Sequence, residues 1–563
     1  MRRIAILLLA AILAAGALAE TRRRAVGKPA GPVVLPVANY IDTHIGAKLS
    51  GAGIAPAAIA GDGEFLRRIH LDLTGAIPAA NEVTAFLADT RTDKRARKID
   101  ELRQSNAFTD RWTMWFGDLV QNVQFSTNSR EYYLGRNVYY VWMHDSIRDG
   151  KPYDAMVREV LAGEGVNFST GTANYVVRQL QRNGPPQDTY DNLAAHSAEK
   201  FLGLPMLCIS CHDGAGHLET VNWYLRGRTR SDFWRMSAFF ARTTTRGQRY
   251  TDPNNPNQNN ILQFTIGYNQ FGGYNLNTTD GNKSPRAPKA GEPATVTPAF
   301  LLTGEEPRFG EPYRVAYGRM LTGHRQFARA TVNALWKEMF GTAIVEPVNA
   351  FDLAKLDTQP SHPELLEALA DDFIADGYSL RELLRTIASS NAYQLSSAYN
   401  GTHPHVTYFA RRQPRRLPAE VLFDAVVSVT GVPAQFNING AGTVNRAMQI
   451  RDPLDARRTQ ASRWIDQFGR GNRDDIARSG EAAISQALAL MNDPVVTSRI
   501  RQSNGTTTDP DAVADKLYLA TLSRRPTEDE RRIAVEYLRE GNLTERAEDL
   551  QYVLLNSLEF LFN

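Results

Sequence analysis

The chain's two cysteines stand three positions apart with a histidine directly behind them: Cys208-Ile209-Ser210-Cys211-His212. Two thiols on one short turn can add to the two vinyl groups of a haem, while the adjacent imidazole reaches the iron as proximal ligand. The expected cofactor is one covalent haem c, held by Cys208 and Cys211 with His212 on the metal. The same residues admit other chemistry. A redox dithiol needs only the two sulfurs and a stabilised thiolate, although the βαβ setting usual for such pairs is missing. A zinc or disulfide site in a non-haem binding or scaffold protein is a third option, and zinc would need a distant fourth ligand.

A sixth iron ligand decides whether such a haem mainly passes electrons or keeps a position open for a small molecule. His217 follows five residues after His212 and would need a tight return to reach the opposite face. Met236 has the longer loop required, but beside Phe233, Trp234 and Phe239 core packing accounts for it equally well. His196 and Met206 precede the tether and are weaker candidates. Leu204, Leu207, Leu218 and Trp223 would exclude water around a haem or serve as ordinary core.

No other constellation carries chemistry: GxSxG, HExxH and P-loop patterns are missing. Capping explains His362 in SHPELL more cheaply than metal binding. Asp371-Asp372 and Asp474-Asp475 read as solvated charge. No catalytic residue is assigned, and enzymatic activity is left open.

The start of the chain suits a covalent haem, which bacteria attach outside the cytoplasm. Arg2 and Arg3 precede an apolar run from Ile4 to Leu18, and Ala17-Leu18-Ala19 is a small-x-small cleavage pattern. Residues 1–19 are therefore expected to be a signal peptide, making the protein exported, periplasmic or extracellular. No later stretch approaches the roughly 20 apolar residues that span a bilayer, so no membrane span is expected after cleavage. The formal charge of +3 falls to +1 without Arg2 and Arg3, which leaves no electrostatic footprint for nucleic acid. Arg411-Arg412 and Arg415-Arg416 read as solvated faces or helix ends.

The elements that must position the motif are helical. Phe65, Leu66, Ile69, Leu71 and Leu73 mark a helix broken at Gly75 and Pro78, and Val83, Phe86 and Leu87 mark the next. Trp112, Trp115, Phe116 and Leu119 share one helix face. Ser361 to Glu364, Ser379 to Glu382 and Thr527 to Glu530 are capping boxes. The expected fold is mainly α: a leader at 20–36, a helical domain at 37–246 with the CxxCH, and a second helical domain at 306–563. An Asn/Gly/Pro-rich irregular linker at 247–305 joins them. Phe264, Tyr268, Phe271 and Tyr274 are unusual for a spacer, so part of it should pack on a neighbour. Their alternation with amides also admits a saccharide contact.

In order, these pieces resemble the two-domain planctomycete-cytochrome family, catalogued as cytochrome-like domains of unknown function. The resemblance rests on FLRRIHLDLTGAIP from Phe65, DKRARKIDELRQSNAFTDRW from Asp93 and FLGLPMLCISCHD from Phe201. In the second half it rests on RQFARATVNALWKEMFGTAIVEPVNAF from Arg325, QPSHPELLEALADDFI from Gln359, RRLPAEVLFDAV from Arg415 and LYLATLSRRPTEDE from Leu517. It implies a CxxCH domain followed by a helical partner domain, and a setting among exported degradative systems. An unidentified redox partner or degradative enzyme is the expected associate. One departure is local: the family pattern places a second histidine right after CxxCH and an Asp or Asn, whereas here Gly214 follows Asp213 and the next histidine is His217.

Overall fold

The structure, a computed structural model, describes residues 35–124, 132–253, 256, 261–278, 281, 284–288, 290–291, 293–398, 406–455, 459–481, 483–502 and 508–563. The expected signal peptide and all of the leader up to residue 34 lie outside the described residues. Leu35 is already buried, and the Pro36 carbonyl accepts from Asn391 (3.1 Å), so these two residues belong to the fold. Helices dominate, and no helix of the described residues is long and apolar enough to cross a membrane.

The chain forms two compact units. One gathers residues up to Trp112, Arg385–Asn472 and Ile476–Asn563; the other holds Thr113–Leu384 and Arg473–Asp475. The division at 247–305 drawn from composition is not where these units part.

In the first unit, helix α1 (Asp62–Thr74) buries Phe65, Leu66, Ile69 and Leu73, and stops at Gly75. Gly75 has φ +60°, and a Cβ there would meet Met448 Cε at 2.3 Å, so only glycine closes the helix. α1 also buries charge. Arg67 donates to the carbonyls of Thr521 (2.9 Å) and Phe560 (2.9 Å), and Arg68 to those of Tyr393 (2.7 Å) and Leu395 (2.8 Å). Asp72 accepts from Tyr393 Oη (2.8 Å), Arg412 (3.0 Å), Asn563 Nδ2 (2.8 Å) and Arg415. Burial alone would raise the Asp72 carboxyl, but Arg412 and Arg415 hold it below the ordinary range.

The reading of Arg411-Arg412 and Arg415-Arg416 as solvated faces or helix ends is thereby corrected for Arg412, whose side chain is 1 % exposed. Its countercharge lies 340 positions away, where no local pattern reveals it. Other sequence signals hold locally. Thr527 and Glu530 form the reciprocal capping box of helix Glu528–Arg539. Around His362 the expected box shifts by one: Pro363 takes the first helical position, so His362 rather than Ser361 is the N-cap, without a side-chain cap bond.

In the second unit, helix α2 (Pro186–Leu202) packs on helix α4 (Arg230–Ser237), with a short helix α3 (Trp223–Arg226) between them in sequence. The region expected to be an irregular linker contains regular structure. Strand β2 (Thr243–Tyr250) pairs antiparallel with β3 (Ile261–Tyr268), Thr243 opposite Tyr268, and β1 (Gly165–Val166) lines the other edge of β3. The hairpin carries no sequence signal, because β2 exposes Thr244 to Arg249 and shows no apolar alternation. Its continuation is anchored as expected of part of it: Phe264 and Tyr274 are buried. Arg286, itself buried, bonds to Asp188 (2.5 Å) and Asp191 (2.6 Å) on α2, and Tyr274 Oη donates to Asp191 (2.8 Å). Asp474, expected as solvated charge, pairs with the buried Arg178 at 2.6 Å. Asp371 lies on an exposed ion pair with Arg325.

Two outcomes follow for the first unit. Asp72→Ala strands Arg412 without its buried partner and should cost about 3–5 kcal/mol, read as a lowered urea midpoint, with Asp72→Asn intermediate. Asp424 accepts from the N–H groups of Ala447 (2.7 Å) and Met448 (3.1 Å), and burial pushes its carboxyl up to about 6 against the pull of Arg446. A folded pKa above the unfolded value favours the folded acid form. That contribution, up to about 3 kcal/mol, is complete below about pH 4 and lost as pH rises through about 6. Asp424→Asn should flatten the fall in urea midpoint across this window.

Candidate functional site

The CxxCH is positioned by the end of α2. Gly203 takes a left-handed conformation (φ +65°), and the N–H groups of Gly203 and Leu204 return to Glu199 (3.1 Å) and Ala198 (3.0 Å). The ring of Phe351 lies where a Cβ on Gly203 would sit, at 2.6 Å. The chain then enters a 3₁₀ turn, Met206–Ser210. With three residues per turn, positions three apart share a face. Met206 and Ile209 accordingly face the core, while Cys208 and Cys211 are both exposed and not joined in a disulfide.

The loop behind the turn is fixed by polar contacts. Asp213 Oδ1 accepts the N–H of Arg230 at the start of α4 (2.8 Å), and Arg230 Nε donates to the Ser210 carbonyl (3.2 Å). Gly214 donates to the Arg228 carbonyl (2.8 Å), and a Cβ on it would lie 2.0 Å from the Leu225 oxygen. No side chain fits at 214, which explains in space why a second histidine is absent there. Asp352 accepts the N–H groups of Trp223 (2.7 Å) and Tyr224 (2.8 Å), and Asn222 donates to the Phe351 carbonyl (2.8 Å).

His212 is half-buried, with Nδ1 2.8 Å from the Asp213 carbonyl. A carbonyl only accepts, so Nδ1 carries the proton and Nε2 keeps its lone pair, the tautomer that coordinates a metal through Nε2. The His217 ring packs on it, with centroids 4.1 Å apart. Two imidazoles flanking one iron need about 6 Å between centroids, so in this arrangement they do not flank an ion. Met236 is fully buried on α4, and its sulfur accepts the Leu301 N–H at 3.2 Å. Met206 is buried beneath the turn. His196 is half-buried on α2 with Nδ1 3.0 Å from Tyr175 Oη, and desolvation holds its pKa well below 6.5. Of the expected apolar neighbours, Leu204 and Leu218 are core, while Leu207 and Trp223 are about half exposed beside the thiols in sequence.

Among the described residues no group of three or more His, Cys, Asp or Glu is placed to hold a metal ion. Cavities of about 350 Å³ in the first unit and 490 Å³ in the second are lined by no residue of 206–223. The donor set fits covalent attachment through both thiols and ligation through His212 Nε2. Sequence reasoning gave no role to Arg230, Asn222 or Asp352. A signal existed in the VNAF stretch ending at Phe351, adjacent to Asp352.

Residues 40–245 match the family model PSCyt2, a protein of unknown function (DUF1549), and residues 320–538 match PSD1, a protein of unknown function (DUF1553). The chain joins these two families in tandem. No curated protein and no solved structure matches it. The loop that caps α3 from Asp352 belongs to the second match and the CxxCH turn to the first, so one compact unit draws its site from both.

Asp352→Ala removes a charged acceptor from two N–H groups, each such bond contributing about 1.5–3 kcal/mol. Amide hydrogen exchange at Trp223 and Tyr224 should accelerate while α2 stays protected.

Proposed function

We propose that this chain is an exported, c-type cytochrome-like protein carrying one haem on Cys208 and Cys211, with His212 as proximal ligand. It transfers electrons to or from a partner, an oxidoreductase or degradative enzyme of extracellular polymer breakdown. The observation that carries the reading is the 3₁₀ turn. Cys208 within it and Cys211 at its C-cap are both exposed, next to an imidazole whose Nδ1 is committed to the Asp213 carbonyl. The haem, when bound, supplies one-electron chemistry. The protein's own part is to hold the tether rigid through Asp213, Arg230 and Asp352, to fix the His212 tautomer, and to leave the thiols accessible for attachment. The N-terminal basic, apolar and small-residue pattern supports export to the compartment where attachment occurs.

Expression in a cytochrome-maturing host with export tests this directly. The purified chain should be heavier by one haem and give a covalent haemochrome spectrum in alkaline pyridine. Cys208→Ser with Cys211→Ser should abolish both signals, and His212→Ala should alter the spectrum. An unmodified, colourless chain defeats the reading; if its thiols then titrate reversibly with reductant, the redox-dithiol alternative takes its place.

A further inference from the structure

Two phenyl rings stand in water beside the 490 Å³ groove of the second unit. Phe309 is 108 % exposed and Phe271 86 %, the highest values among large apolar side chains of the described residues. Each forgoes the roughly 1.5–3 kcal/mol that burying a phenylalanine contributes, and most other phenylalanines here are buried. The groove volume falls within the roughly 300–1,000 Å³ of small-ligand sites.

The rings are held in place rather than trailing from loose loops. Asn269 Oδ1 accepts the Phe271 N–H (3.1 Å), and the Gly272 N–H returns to the Asn269 carbonyl (3.0 Å). Phe309 sits at the first corner of a turn closed by the Glu311 N–H on the Arg308 carbonyl (2.9 Å), with Gly310 at φ +77° in the second corner. Arg319 grips Glu311 through two bonds (2.9 and 3.0 Å) and locks that turn. Arg242 ties the sides together: it donates to Tyr268 Oη (3.0 Å) and the Gly272 carbonyl (3.2 Å), and lies 3.9 Å over the Tyr313 ring.

We propose that this groove binds a saccharide chain, with pyranose rings stacked on Phe271 and Phe309 and hydroxyls bonded by Gln270, Glu306 and Arg308. A pyranose has an apolar C–H face and a rim of hydroxyls that both donate and accept. It therefore needs flat apolar surfaces next to mixed polar groups, which is the lining found here. A purely apolar ligand would desolvate Gln270 and Arg308 without replacing their water. A nucleic acid would find Arg242 and Arg308 matched by Glu306 and Glu311, leaving no net positive charge for its phosphates. A proline-rich segment suits aromatic grooves, but proline has no N–H to offer Glu306 or the Gln270 carbonyl. The inference goes beyond the haem reading and does not depend on it.

Isothermal titration of the full chain with cellohexaose, xylohexaose, mannohexaose and polygalacturonate tests the proposal. At least one should bind. Phe271→Ala and Phe309→Ala should each weaken it by about tenfold or more, and the double variant should abolish it. Melting temperature should not move, because both side chains already lie in water. Failure of all four glycans to bind overturns the proposal. So does binding that neither phenylalanine affects, or poly-L-proline competing for the same two rings.

Discussion

A single carboxylate, Asp72, organises the first unit. Taken out of water alone it would be protonated or would unfold its surroundings. It is tolerated because Arg412, Arg415, Tyr393 and Asn563 converge on it. The four partners come from three distant stretches, so satisfying one charge brings together α1, residues 393–395, residues 412–417 and residues 561–563. Arg67 and Arg68 extend the arrangement by donating to backbone carbonyls on either side of α1. Apolar packing around Phe65, Leu66 and Ile69 supplies the gross driving force, and the polar contacts select which surfaces meet.

The second unit uses a similar device for another purpose. Arg286 between Asp188 and Asp191 pins the segment after the hairpin to α2. The same helix ends at Gly203 and launches the 3₁₀ turn with both thiols. Arg230 reaches both regions, bonding to Ser210 behind the turn and to the carbonyls of Ser284 (3.2 Å) and Pro285 (3.1 Å). The placement of Cys208, Cys211 and His212 thus rests on residues well outside the CxxCH.

Much of this was legible in the sequence where the cause is local. The apolar spacing from Phe65 to Leu73, the stop at Gly75, the Thr527–Glu530 box and the CxxCH itself all operate within a few residues. The hairpin was not legible, because β2 is polar along its exposed length and its pairing depends on β3 for meaning. Arg412 looked like surface charge because its partner is 340 positions distant. His217 stood out as a histidine near the motif, but its contact with the His212 ring follows from Gly214 packing against the Leu225 carbonyl, a tertiary constraint. Phe309 carried no periodic signal, and only its exposure in space distinguishes it.

Arg67, Arg68 and Asp72 appear early in synthesis, whereas their long-range acceptors and donors follow 321 to 493 residues later. Closing loops of that length is entropically costly and slow. Until residues 393–412 and then 521–563 have been delivered, Arg67 and Asp72 lack these partners, and Arg68 has only Glu64 one turn before it. A nascent chain in that condition keeps these interior-facing charges hydrated, so the first unit closes only once both ends of its long loops exist.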